Sequence, residues 1–265
     1  MNAIKRRVIL HYHLFKNAGS SVDHVLATNF GGRWNTVEGE HPWSVLGADT
    51  LAEFIRRRPR LLAVSSHTAR LPLPQLPKTV FYPIFFLRHP IDRVSSIYHF
   101  EREQTERNFS ATTARENDFA GYVQRMLDNP DNEGIVLRNF QTACLSNAAA
   151  NLADLRQVKL GSSSLTEARA FLANLPVFGL VERFDQSIHR LGNWLQAPFP
   201  GINLFPAHIN VKQQREPLLD TRIADMEREL GTSLFQKLLD ANEYDQQLYH
   251  YACQIFDQRT TFDHP

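Results

Sequence analysis

Cysteine is nearly missing from the 265 residues: only Cys144 and Cys253 occur, far apart and without a pairing pattern. A disulfide scaffold is excluded, and a reducing, cytoplasmic setting is expected. Long apolar runs are missing as well. The N-terminal apolar stretch, Val8 to Leu14, is short and interrupted by His11 and His13, so it reads as neither a signal peptide nor a membrane span. An excess of either charge is also lacking. Lys and Arg number 29 against 28 Asp and Glu, for a formal net charge of +1. A nucleic-acid binder that works through overall charge is thereby disfavoured, and no nucleic-acid partner is expected. With 43% hydrophobic and 22% charged residues, the chain has the make-up of a globular domain rather than of a disordered tail. A chain of this length buries roughly three quarters of its unfolded surface, enough for one large core, and a single domain over 1–265 is expected.

The first half alternates strand and helix signals. Val8 to Leu14 reads as a buried strand, and Ser20 to Phe30 as a helix with Val22, Val25 and Leu26 inward. Asp49 to Arg58 is a short amphipathic helix, followed by a strand at Leu61 to Ser66. Pro72, Pro74 and Pro77 forbid regular structure, so Thr68 to Lys78 is expected to be an exposed loop. Val80 to Leu87 is an aromatic-rich strand, and Ile91 to Glu106 a long helix behind Pro90. Beyond Asp118 the signals are mainly helical, with one further strand at Val177 to Val181 and a last helix at Tyr244 to Arg259. The pattern predicts an α/β fold with a parallel sheet covered by helices, whose ligands sit beyond the carboxyl ends of the strands.

The segment His13-Leu14-Phe15-Lys16-Asn17-Ala18-Gly19-Ser20-Ser21 follows a strand and opens a helix. Such a turn aims backbone N–H groups and the positive helix end at one point, which suits an anion. Gly19 permits close approach, Ser20 and Ser21 add hydroxyl donors, and Lys16 adds a full charge. A plain strand-to-helix turn capped by Ser20 is the alternative. The segment is not a Walker A loop, because Lys16 precedes its only glycine. The strand ending in Arg88 also carries no acidic group for magnesium, so the site reads as an anion site without a metal.

A second motif runs Leu87-Arg88-His89-Pro90-Ile91-Asp92-Arg93-Val94-Ser95-Ser96-Ile97-Tyr98. Together the two segments resemble the cofactor signatures of sulfotransferases that use 3′-phosphoadenosine 5′-phosphosulfate (PAPS). The first is similar to the family's H-x-P-K-[TA]-[GA]-[GS]-[ST]-[ST] loop, the second to L-R-[DN]-P-x-x-R-x-x-S-x-Y. The resemblance extends along the chain and looks nearest to the carbohydrate branch that includes the heparan sulfate 2-O enzymes. Arg138 to Ser146 resembles R-N-x-Q-T-x-x-L, and Phe178 to Asp185 resembles G-L-x-E-x-[FY]-[DE]. His208-Ile209-Asn210-Val211 and Asp245 to Tyr249 match late signatures. Three departures occur: Phe15 stands for the loop's proline, Asn17 for a threonine, and His89 for the acid after Arg88.

The resemblance implies a P-loop-like three-layer sandwich with a helix-rich C-terminal half, and sulfuryl transfer from PAPS to an acceptor hydroxyl on a carbohydrate or glycolipid. It assigns the 5′-phosphosulfate to Lys16, Asn17, Ala18, Gly19, Ser20 and Ser21, and the 3′-phosphate to Arg88 and Ser96. Lys16 would also stabilise the leaving phosphate, and His67, at a strand end, would be the base. Glu38 and Glu40 are weaker competitors for that role, Arg93 falls on another face, and Lys212 with Arg215 could close over the nucleotide. His11 and His13 share a strand face but find no third ligand at metal spacing, so packing is the simpler role. The run Arg56-Arg57-Arg58 reads as a solvated helix end. The acceptor is expected among Gly32 to Ser44, Thr68 to Lys78 and Asn108 to Asn117, where Trp34 and Trp43 either stack on a sugar or pack on the core. The family's Golgi enzymes carry a membrane stem, whereas this chain is expected to be soluble. A kinase on a related phosphate-loop scaffold, or a silent nucleotide-binding protein, are the competing readings.

Overall fold

The computed structural model describes residues 5–205 and 218–260. In chain order the first half contains β1 (Arg6–Tyr12), α1 (Gly19–Phe30), β2 (Trp34–Thr36), α2 (Ala48–Arg56), β3 (Ala63–Ser66), β4 (Thr79–Ile84), β5 (Phe86–Leu87) and α3 (Pro90–Glu103). There follow α4 (Phe109–Glu116), α5 (Phe119–Asp128), α6 (Phe140–Leu145), α7 (Ser162–Asn174), β6 (Gly179–Leu180) and α8 (Phe184–Gln196). Past the undescribed segment come α9 (Leu219–Leu230), α10 (Thr232–Ala241) and α11 (Glu243–Thr260). This is the mixed α/β architecture expected, a central parallel sheet flanked by helices.

Strand β1 reads Arg-Arg-Val-Ile-Leu-His-Tyr, and its last five residues are all buried. A run without polar alternation belongs in the middle of a parallel sheet, covered on both faces. It lies there, in the order β2-β3-β1-β4, with Ile9 opposite Ala63 on one side and Tyr82 on the other. Successive side chains point to opposite faces. Ile9, Ala63, Ile84 and Phe86 accordingly join Val22 and Leu26 of α1 and the inner side of α8. Val8, Leu10, Tyr12, Val64 and Phe85 join α7 and α11 on the other face. A third cluster unites α3, α4, α5, α9 and α10.

Two sequence expectations need correction. The strand anticipated at Val80 to Leu87 is two strands, because β4 pairs with β1 while β5 pairs with β6. Phe85 lies between them, its carbonyl accepting from the Gly179 N–H at 2.8 Å. A Cβ at Gly179 would come within 2.3 Å of the Phe86 ring, which explains the glycine in so short a strand. The loop after β3 is also less exposed than its prolines imply. Thr68, Ala69, Arg70 and Leu71 are buried, since the segment pairs with the chain at Leu46 before the prolines begin.

The C-terminal half braces the ends of β1 and β5. Gln141, fully buried, accepts from the Arg88 N–H at 2.9 Å and donates to the Arg88 carbonyl at 2.9 Å. Its Oε1 also accepts from Asn17 at 2.8 Å. Asp245 on α11 holds Gln141 in turn, accepting from the N–H groups of Gln141 and Thr142 at 2.9 and 2.7 Å. Burial raises the Asp245 carboxyl, and the nearby Arg93 charge opposes that rise. Glu182 after β6 accepts from the His89 N–H at 2.9 Å and from the Tyr249 hydroxyl at 2.8 Å. Three of the late sequence matches thus converge behind Arg88. Replacing Gln141 by Met keeps volume but leaves three buried groups without their partner, at roughly 1–3 kcal/mol each. Urea unfolding of Gln141→Met is expected to show a loss of about 3 kcal/mol or more.

Candidate active site

The loop between β1 and α1 turns sharply, with left-handed backbone at Lys16 (φ 62°) and Ala18 (φ 61°). Among the described residues no hydrogen bond takes the amide N–H of Ala18, Gly19 or Ser20, and Ser20 is exposed. These amides open the twelve-residue helix α1, so partial positive charge gathers at one place. Gly19 has a second cause: a Cβ there would lie 1.9 Å from the His13 ring, which rests on the start of the helix. Ser21 is buried. The Lys16 ammonium lies over the Phe100 ring at 4.3 Å.

Asn17 shapes this loop from beneath. Its Nδ2 donates to the Phe86 carbonyl at 2.7 Å and to Gln141, and its N–H donates to Leu14. Only 1% exposed, its side chain is bonded into the core beneath the loop.

Arg88 stands directly beside the loop. Its Nη1 donates to the Lys16 carbonyl at 3.0 Å and its Nε to Asp92 at 2.9 Å, with Nη2 2.8 Å from the same carboxylate oxygen as an ion pair. Arg222 of α9 binds the other oxygen of Asp92 at 2.7 Å. Arg88 is therefore a buried strut between strand end and loop as well as a cation. Ser96 lies one turn beyond Asp92 on the same helix face and is half-buried. Arg93 is 0% exposed, and burial lowers its guanidinium to about 10; it faces the Phe15 and Val136 carbonyls. The departure at His89 is accommodated at the start of α3, where its ring meets Tyr249 edge-on.

His67 follows β3, next to β1, and so opens on the same crevice. Its Nδ1 lies 3.0 Å from Glu38 Oε1. Glu38 also accepts from the His67 and Thr68 N–H groups and the Thr68 hydroxyl. Burial raises the Glu38 carboxyl, but the His67 hydrogen bonds outweigh it and hold the group below its ordinary range. A proton on Nδ1 satisfies this bond and leaves the lone pair on Nε2. The sequence offers Glu38 as a rival to His67, and the structure bonds the two together.

The His13 ring lies against His67, with centroids 3.7 Å apart and the planes tilted by 31°. Burial pushes His13 down to about 4, although the Asp23 hydrogen bond pulls the other way. Asp23 receives His11 and His13 through separate oxygens, each at 2.8 Å. Burial would raise Asp23, and these two bonds overcome it, holding the carboxyl well below the usual range. His11, His13 and Asp23 are the one grouping among the described residues whose ligand atoms, all within 4.8 Å, could hold a metal ion. Here the shared carboxylate serves both rings as a hydrogen-bond acceptor.

A cavity of about 440 Å³ opens beside His67. All three segments expected to form the acceptor site reach it: Glu38, Gly39 and His41 to Trp43 from the first, Thr68 and Arg70 from the second, and Asn108 with Ser110 of α4 from the third. Phe15, the residue in place of proline, forms part of its wall and meets Phe100 edge-on. The end of α3 and the segment Glu133 to Val136 also contribute, which no sequence signal marked. Trp34 lies elsewhere and donates to Ser65 at 3.0 Å; Trp43 lines the cavity with His41 stacked on it and Arg156 over its ring. Arg56 and Arg57 bind Glu53 at the exposed end of α2. His208 to Val211, Lys212, Arg215 and any closure over the nucleotide lie outside the described residues.

The described residues include no helix long and apolar enough to cross a membrane. A protein from Archaeoglobus fulgidus, described only as uncharacterized, is 32% identical over 259 residues, covering 96% of this chain and 99% of its own length. The model of the sulfotransferase family matches residues 2–252, nearly the whole chain, which therefore belongs to the sulfotransferase family.

Proposed function

We propose that this protein transfers a sulfuryl group from PAPS to an acceptor hydroxyl, on a carbohydrate or glycolipid, in the cytoplasm. The observation that carries the reading is the convergence of three parts at adjoining strand ends. These are the open amides after Lys16, the Arg88 guanidinium bonded to that loop, and His67 with Glu38 behind it. The donor set fits a nucleotide with phosphates at both ends. Open amides and Ser20 would take one end, while the Arg88 charge and the half-buried Ser96 hydroxyl would take the other. The bond from Arg88 to the Lys16 carbonyl supports treating the two as one site. Two free cysteines, Cys144 buried and Cys253 half-buried, support the cytoplasmic setting.

When bound, PAPS supplies the sulfuryl group and departs as adenosine 3′,5′-bisphosphate. His67 Nε2 takes the proton of the acceptor hydroxyl as its oxygen attacks sulfur in line with the leaving phosphate. The positive ring that results is stabilised by Glu38, which is ionised and already bonded to Nδ1. Lys16 stands where charge grows on the leaving oxygen, and donors aimed at such charge contribute roughly 3 kcal/mol. The ionised Asp23 holds His13, and His13 backs the base with an uncharged ring, so the base meets no neighbouring positive imidazole.

Calorimetry with adenosine 3′,5′-bisphosphate tests the cofactor assignment directly; absence of binding would sink it. Lys16→Ala is expected to lower turnover of labelled PAPS by about a hundred- to a thousand-fold. His67→Ala should keep the bisphosphate affinity and lose transfer by about a hundred- to ten-thousand-fold. Unchanged turnover in that variant would remove His67 from the base role. Glu38→Gln should fall between wild type and His67→Ala, because the ring loses the charge that orients and stabilises it.

A further inference from the structure

The charged groups around the cavity beside His67 are mostly paired with one another. Glu38 is bonded to His67, and Glu133 to Arg156, which also holds Asp154. Arg70, only 3% exposed, gives its Nη1 to the His67 and Ala69 carbonyls. Glu101 is buried on α3, and Glu106 stands exposed at the edge, where water solvates it. Lys16 lies over the Phe100 ring and, in the proposed reaction, serves the cofactor. An acceptor that carries carboxylates or sulfates would therefore give up its water here without gaining a cation in exchange.

Apolar side chains are what the cavity leaves open. Phe15, Trp43, Phe100 and Val136 line it, and each is half-buried. The Trp43 ring is already engaged, with His41 stacked on it and Arg156 over it, so Phe15, Phe100 and Val136 supply the apolar wall. Apolar surface also collects at the edge. Three large apolar side chains are exposed among the described residues, and one of them, Phe109, stands between Asn108 and Ser110, which both line the cavity. A volume of about 440 Å³ is that of a small-molecule pocket, and such pockets are mainly apolar with a few polar groups that fix orientation. His67, exposed at the cavity, is the polar group beside which a hydroxyl must sit.

Resting on the sulfotransferase reading, we propose that the acceptor is an uncharged hydroxyl compound with an apolar body. That body lies against Phe15, Phe100 and Val136 while the hydroxyl meets His67. On a carbohydrate, this is a neutral sugar joined to an aromatic or alkyl group, the glycolipid kind. A uronic-acid or sulfated glycan, the acceptor type suggested by the resemblance to the heparan sulfate branch, does not fit the wall.

Three matched probes separate apolar body from charge: methyl glucoside, phenyl glucoside and phenyl glucuronide. Each is titrated by calorimetry into the protein with and without adenosine 3′,5′-bisphosphate. The phenyl glucoside is expected to bind the loaded protein about tenfold or more tightly than the methyl glucoside, because only it covers the apolar wall. It should exceed the phenyl glucuronide by about tenfold or more as well. Val136→Thr keeps the side chain's shape and puts a hydroxyl into that wall. In this variant the phenyl advantage over methyl should fall to about threefold or less, with bisphosphate affinity unchanged. A circular dichroism melt checks that the variant is folded, and the comparison of probes on the wild type needs no variant. Equal binding of the two glucosides, a glucuronide as tight as the phenyl glucoside, an undiminished phenyl preference in Val136→Thr, or failure of all three probes would each overturn the proposal. If the bisphosphate does not bind but the phenyl preference and its loss in Val136→Thr persist, the sulfotransferase reading fails while the apolar site stands.

Discussion

The side-chain amide of Gln141 is the tie on which the site rests. An isolated backbone N–H and carbonyl at the end of β5, together with the Asn17 amide under the phosphate loop, all meet this one buried group. A sheet leaves such groups unpaired where a strand ends, and water is excluded at this depth. A side chain with one double acceptor and two donors settles the account for strand and loop at once. Asp245 then fixes Gln141 from α11, more than a hundred residues away, so the C-terminal helix holds the geometry of a site near the N-terminus.

Around this tie the protein sets two carboxyl groups in opposite conditions. Glu38 collects donors from His67 and Thr68 and stays charged. Glu101 lies across the same cavity with an oxygen that has none, and its proton is held up to about 7. One glutamate is bonded to a ring, while the other keeps an enclosed oxygen to which no described residue donates. The contrast arises from hydrogen-bond supply more than from burial, since both groups are partly shielded from water.

Local features were the ones legible in the sequence. The strand–loop–helix run through Lys16, the strand end at Arg88 and the strand end at His67 each depend on neighbours in the chain, and periodicity with glycine and proline punctuation places them. Partnerships between distant segments left no such trace. Nothing near Glu38 indicates that it meets His67, 29 residues later, and a glutamate in a polar loop ordinarily faces water. Asn17 reads as a loop donor because polar residues in phosphate loops usually are, yet the fold turns it toward Phe86. Glu101 falls in a stretch of charged residues, Glu101-Arg102-Glu103, whose neighbours are exposed; only the packing of α3 against α4 sets it apart. The exposure expected of Thr68 to Leu71 failed for a similar reason, because pairing with Leu46 is a tertiary event.

The missing Cβ of Gly19 has a reach beyond its own loop. It lets the His13 ring lie against the first turn of α1, and the same ring lies against His67. The loop after β1 and His67 thus share one imidazole as a neighbour. A change that shifts the loop shifts His67 with it, so neither is free to drift in evolution or to be redesigned without the other.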